Sequence, residues 1–145
     1  MRALAIGGAV ALLSLLGVAG PAGGADADTK TLTAALSAAE ETPPGPEGGT
    51  GAATIVINMA EKTLCYELSW SKEVGEPNSG HIHKGAKGLT GPTVVNFQLP
   101  DKPKDCVKVD GNTLEQIAGD PAGHYVNLHT NAYPTGAVRG QLQEG

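Results

Sequence analysis

Aromatic side chains are scarce in this chain, with one Trp, three Tyr and one Phe among 145 residues. Stacking platforms for single-stranded nucleic acid need more rings than that. Charge of one sign is not concentrated either: the formal net charge is −5 and no run of like charges occurs. A nucleic-acid footprint or a polybasic membrane anchor is therefore not expected. Several catalytic signatures are missing as well. No Gly-x-Ser-x-Gly elbow is found, and the adjacent Glu40 and Glu41 sit in a loop segment, where they diverge instead of forming a glycosidase pair. Gly85, Gly88 and Gly91 form a tight, backbone-exposing loop that ends in Gly91-Pro92. It is not followed by the Lys-Ser or Lys-Thr of a phosphate cradle.

Long apolar runs are confined to the start of the chain. Arg2 precedes an uncharged apolar stretch from Ala3 to Ala19, and small residues follow up to Ala27. This is the layout of a signal peptide over residues 1–27, with cleavage near Ala25 or Ala27. The stretch is short for a bilayer span and diluted by Gly7, Gly8 and Gly17. A secreted or periplasmic domain over residues 28–145, without a membrane span after cleavage, is the resulting expectation. Only two cysteines are present, Cys65 and Cys106. In an oxidising compartment they are expected to pair, the alternative being two thiolate metal ligands. Such a bridge closes a loop of about 40 residues and contributes roughly 4 kcal/mol on the chain-entropy model.

What remains is short alternating runs separated by turn residues. Leu32, Ala34 and Leu36 alternate with Thr31, Thr33 and Ala35 before a Pro- and Gly-rich loop from Glu40 to Gly49. Ala53–Asn58 and Leu64–Trp70 read as a hairpin turning at Met59 to Lys62. Val94–Leu99, Tyr125–Thr130 and Ala137–Leu142 are further strands. Thr113 to Gln116 fits a capping box opening one or two helical turns, which Asp120-Pro121 ends. The fold class is all-β: an antiparallel two-sheet sandwich or flattened Greek-key barrel of about seven to eight strands with one short helix.

All four histidines fall in or beside two motifs, His81-Ile82-His83 and Tyr125 to Thr130. Residues two apart on a strand project to one face. His81 and His83 then point together, and Tyr125, Asn127 and His129 share a face opposite Val126 and Leu128. If the strands adjoin, three imidazoles converge on a site suited to copper or zinc, with their nitrogens within about 4 Å of one another. The alternative is a polar cluster in which the imidazoles hydrogen-bond loop carbonyls and Asn or Tyr side chains. His124 has the wrong parity to join His129 and, following Gly123, is expected to be exposed. Asn127 and Arg139 stand beside the histidines as groups that orient a ligand or an anion. Arg139 also has the option of pairing with a buried carboxylate such as Glu67.

Four blocks in order resemble the CHRD domain, known from chordin and from stand-alone bacterial exported proteins. They are LSAAEETPP (Leu36 to Pro44), Gly51 to Ile57, GHIHKGAKGLTGP (Gly80 to Pro92) and YVNLHTNAYPTGAVRGQL (Tyr125 to Leu142). The resemblance implies an extracellular or periplasmic β-sandwich module. A more distant resemblance is to the copper/zinc superoxide dismutase fold, in which His81, His83, His129 and Arg139 occupy comparable places. No histidine cluster follows His83 to build that family's zinc site, and Met-rich copper tracts are missing.

Three functions follow as alternatives. The first is a non-enzymatic exported binding module that engages an extracellular or envelope protein through loops at Lys84 to Gly91 and Asn131 to Gly136. The second is a copper protein using His81, His83 and His129, with superoxide-dismutase-like redox activity as an extension. The third is a structural envelope protein.

Overall fold

Alternating burial in the first three strands builds one side of the core. The computed structural model describes residues 28–145, so the signal peptide expected over 1–27 lies outside the described residues. Strand β1 (Thr29–Ser37) buries Leu32, Ala34 and Leu36; β2 (Thr50–Asn58) buries Ala53, Ile55 and Ile57; β3 (Thr63–Trp70) buries Leu64, Tyr66 and Leu68. All three pair antiparallel in unbroken register, from Thr29 opposite Asn58 to Ser37 opposite Thr50 in the first pair. The β2–β3 turn closes where Asn58 Oδ1 accepts from Glu61 N at 2.9 Å and Lys62 takes φ 52°.

The remaining strands are β4 (Ser79–Lys84), β5 (Thr93–Asn96), β6 (Lys104–Lys108), β7 (His124–His129), β8 (Val138–Gln141) and β9 (Gln143–Glu144). They join the first three in one sheet of order β5-β4-β7-β8-β1-β2-β3-β6, with β9 against β1. The two expected layers are the two halves of this curled sheet. They are continuous because β8 pairs with β1, Ser37 lying opposite Arg139. Between the halves Ile82, Val95, Val126, Leu128 and Val138 meet the apolar face of β1 to β3. Tyr66 ties the two ends of the sheet together: its ring lies 4.4 Å from that of Phe97, and its hydroxyl accepts from Gln98 N at 2.8 Å. Phe97 turns inward for this contact, so β5 ends at Asn96 and falls short of the Leu99 expected from the sequence.

Helix α1 (Gly111–Gly119) caps the core with Leu114 and Ile117. Its N-cap is Asp110, not Thr113: Asp110 Oδ1 accepts from Thr113 N at 2.9 Å, and the Thr113 hydroxyl donates to Asp110 Oδ2 at 2.6 Å. An Asp satisfies an orphan N–H of the first turn as well as a Thr does, so the helix starts earlier and runs nine residues. Cys65 and Cys106 face each other across β3 and β6 and form the expected disulfide.

Candidate metal centre

The β4–β7 ladder decides which side chains meet. Ser79 lies opposite His129, His81 opposite Asn127, Ile82 opposite Val126 and His83 opposite Tyr125. Strand parity sends Ile82, Val126 and Leu128 into the core. His81, His83, Tyr125, Asn127 and His129 therefore share the other face of the sheet. One strand further on, Arg139 lies opposite Asn127 and Gln141 opposite Tyr125. Cross-strand neighbours and their diagonals are close enough for rings to touch. The His83 and Tyr125 rings stack at 4.9 Å and 3°, and the diagonal pair His81 and His129 stands at 4.9 Å, edge to face.

Backbone carbonyls fix the tautomers of two of these rings. A carbonyl only accepts, so His83 Nδ1 donates to Gly91 O at 2.9 Å and His129 Nδ1 donates to Pro134 O at 3.0 Å. In the neutral rings this leaves both Nε2 atoms with a lone pair. His83 Nε2 is buried without a hydrogen-bond partner among the described residues. His129 Nε2 lies 3.1 Å from His81 Nδ1 and 3.1 Å from Asn127 Oδ1. Burial, followed by the neighbouring His129 and His83, holds the His81 pKa down to about 4, with Asn127 opposing. Burial also lowers that of His129. His81 and His129 thus favour the neutral form that ligates a metal.

Ligand atoms of His81, His83 and His129 all lie within 4.8 Å of one another. Two nitrogens bound at about 2 Å to one ion are roughly 3 to 4 Å apart. The His81–His129 separation of 3.1 Å meets that, whereas the set as a whole spans up to 4.8 Å, looser than the about 4 Å expected for a shared ion. Three imidazoles are a donor set for copper, zinc or nickel. The Gly91 carbonyl can reach His83 because Gly91 lacks a side chain; a Cβ there would collide with the Lys84 carbonyl.

Arg139 does not pair with Glu67, which is drawn instead to Lys104 at 2.9 Å on the far side of the sheet. The guanidinium, 3% exposed as a residue, lies 3.4 Å above the Tyr125 ring and donates to Ala86 O at 3.0 Å. The buried carboxylate near it is Glu41. Glu40 and Glu41 do diverge: Glu40 pairs with Lys87 at 2.9 Å at the surface, whereas Glu41 turns inward. Burial raises the Glu41 pKa to about 7 against the lowering effects of Arg139 and of a hydrogen bond from Asn127. Sequence reasoning missed Glu41 as part of this neighbourhood. Gly136, with φ +140° and no Cβ, makes room for the carboxyl, and no signal in the sequence ties these two distant positions together. His124 is also not exposed as expected: it is 2% exposed, covered by the segment after α1, with Nδ1 donating to Asp120 O at 2.8 Å.

A disulfide-bridged, curled all-β domain with a histidine cluster on the outer face of its sheet is the class of protein these features define. The chain belongs to the CHRD-domain family, whose model matches residues 32–142. No curated protein and no solved structure matches it.

Proposed function

We propose that this chain is an exported CHRD module that binds a transition-metal ion, copper before zinc, through His81 Nδ1, His83 Nε2 and His129 Nε2. The reading is carried by His83 Nε2, a buried lone pair without a partner among the described residues, on a ring whose metal-ligating nitrogen set with His81 and His129 lies within 4.8 Å. An unsatisfied buried polar atom costs about 1–3 kcal/mol, and a cation at this point removes that cost. Copper is preferred because neutral nitrogen donors bind Cu²⁺ more tightly than Zn²⁺. Export is supported by the apolar N-terminal stretch, the family and the disulfide. The role is read as binding; Arg139 is engaged by the Tyr125 ring and Ala86 O.

The test is metal content and affinity of the protein refolded with Cu(II) or Zn(II), beside a His81→Ala/His83→Ala double variant. Sub-micromolar Cu(II) binding lost in the variant supports the reading; equal, weak binding by both refutes it. A dismutase assay on the copper-loaded protein tests the redox extension.

A second reading, recognition of an envelope protein through the loops at Lys84 to Gly91 and Asn131 to Gly136, is favoured by Leu89. That side chain is 62% exposed at the loop beside the histidines. Pull-down from envelope extract with Lys84 and Lys87 replaced tests it, and the reading fails if no captured partner depends on the loop.

A further inference from the structure

Glu41 is not among the three ligands proposed above, yet it is 6% exposed and its Oε1 has no hydrogen-bond partner among the described residues. A carboxyl is buried at such cost only where something fixes it there. Its place is prepared by a glycine, since a Cβ on Gly136 would fall on the carboxyl itself. Three elements close around it: the Gly136 loop, β7 through Asn127, and β8 through Arg139. The charged and titratable groups facing it are Arg139 directly, and His129 and His81 beyond Asn127. Lys87 is held outward by Glu40.

Asn127 joins Glu41 to the histidines. Its amide hydrogen-bonds the Glu41 carboxyl, and its Oδ1 faces His129 Nε2 at 3.1 Å. An amide has one accepting and one donating end. With Glu41 ionised, Asn127 directs its NH₂ toward the carboxylate and its carbonyl oxygen toward the histidines, the orientation that a cation at the site attracts. With Glu41 protonated, the carboxyl donates to the Asn127 oxygen, and the NH₂ swings toward His129 Nε2, where it competes for the lone pair a metal needs. The state of one buried proton thus sets which end of Asn127 the site meets.

We propose that Glu41 is a positioning residue for the three-histidine centre, acting through Asn127, and that occupation of the centre by a divalent cation expels the Glu41 proton to solvent. This rests on the metal-binding reading above. The raised pKa places the exchange near neutral pH, in line with the geometry. Outer partners of metal ligands commonly change affinity by about 10–100-fold.

The experiment is calorimetric titration of the protein with Cu(II) in two buffers of different ionisation heat, between about pH 5.5 and about pH 8.5, for wild type and Glu41→Gln. Glutamine keeps the volume and a hydrogen bond but carries no charge. Wild type is expected to release about one more proton than the variant near pH 6, and the two counts converge at the alkaline end. The ratio of wild-type to variant affinity is expected to rise roughly tenfold across the window. If the variant does not fold, the wild-type proton count alone decides, since a count that stays constant with pH overturns the inference. Equal proton counts and parallel pH profiles in both proteins overturn it while leaving the metal site standing. Absence of Cu(II) binding by wild type removes both.

Discussion

His81 Nδ1 and His129 Nε2 stand 3.1 Å apart although 48 residues separate them in the chain. The β4–β7 ladder makes the contact, placing His129 one pair beyond the His81–Asn127 pair on the same face. The register that packs Ile82 on Val126 therefore also assembles the site. A one-residue slip would move both sets to the wrong side of the sheet.

His83 separates metal affinity from stability. In His83→Phe the ring that stacks on Tyr125 is retained, whereas the unpartnered Nε2 and the bond to Gly91 O are lost. The gain and the loss are each of order 1 kcal/mol, so thermal unfolding of the metal-free protein should stay near wild type. Cu(II) affinity should fall by more than the ~10–100-fold typical of an outer partner. Paired thermal scans with and without the metal check both parts.

Glu41 gives a pH dependence of stability whose sign is set by its raised pKa. Between the unfolded value of 4.5 and about 7 the folded state binds more protons than the unfolded one. The contribution is therefore fully present below about 4.5 and is lost as pH rises through about 7. The loss is of order 3 kcal/mol in metal-free protein. Urea unfolding of wild type and Glu41→Gln along a pH series should show the two most alike in acid, with wild type losing stability relative to the variant as pH rises through this window; a difference independent of pH would contradict it.

Arg139 holds loop and sheet together by stacking on Tyr125 and donating to Ala86 O. Arg139→Met keeps much of the stem but leaves Glu41 without its nearby cation. Denaturant melts should show a loss of about 1–3 kcal/mol from the stack and the hydrogen bond, larger at alkaline pH, where Glu41 is ionised, than in acid.

The disulfide should affect stability without affecting the metal centre. Cys65 and Cys106 bridge β3 and β6, at the opposite end of the sheet order from β4 and β7. Cys65→Ser/Cys106→Ser is expected to cost about 2–5 kcal/mol in chemical denaturation. Its Cu(II) affinity under native conditions should equal that of wild type.

The faces of the strands were legible from the sequence because a period of two is local. Leu32 to Leu36, Ile55 and Ile57, and the shared face of His81 and His83 all followed from it. Adjacency of β4 and β7 did not, since pairing between distant segments leaves no local trace. The same limit explains Glu41. The two neighbouring glutamates differ in environment through Lys87, Asn127, Arg139 and Gly136, which come from segments far along the chain. His124 failed for a related reason: parity aims it at the core side, but its cover comes from the turn after α1, whose Asp120 carbonyl it meets. The helix start was missed more simply, because Asp110 offers a cap three residues before Thr113.

The central claim, that His81, His83 and His129 form one metal site, is tested most directly by electron paramagnetic resonance of the protein with one equivalent of Cu(II). A single Cu(II) species with hyperfine coupling to three imidazole nitrogens is expected, reduced to two in His83→Phe. Several overlapping species, or a spectrum unchanged by that substitution, would contradict it.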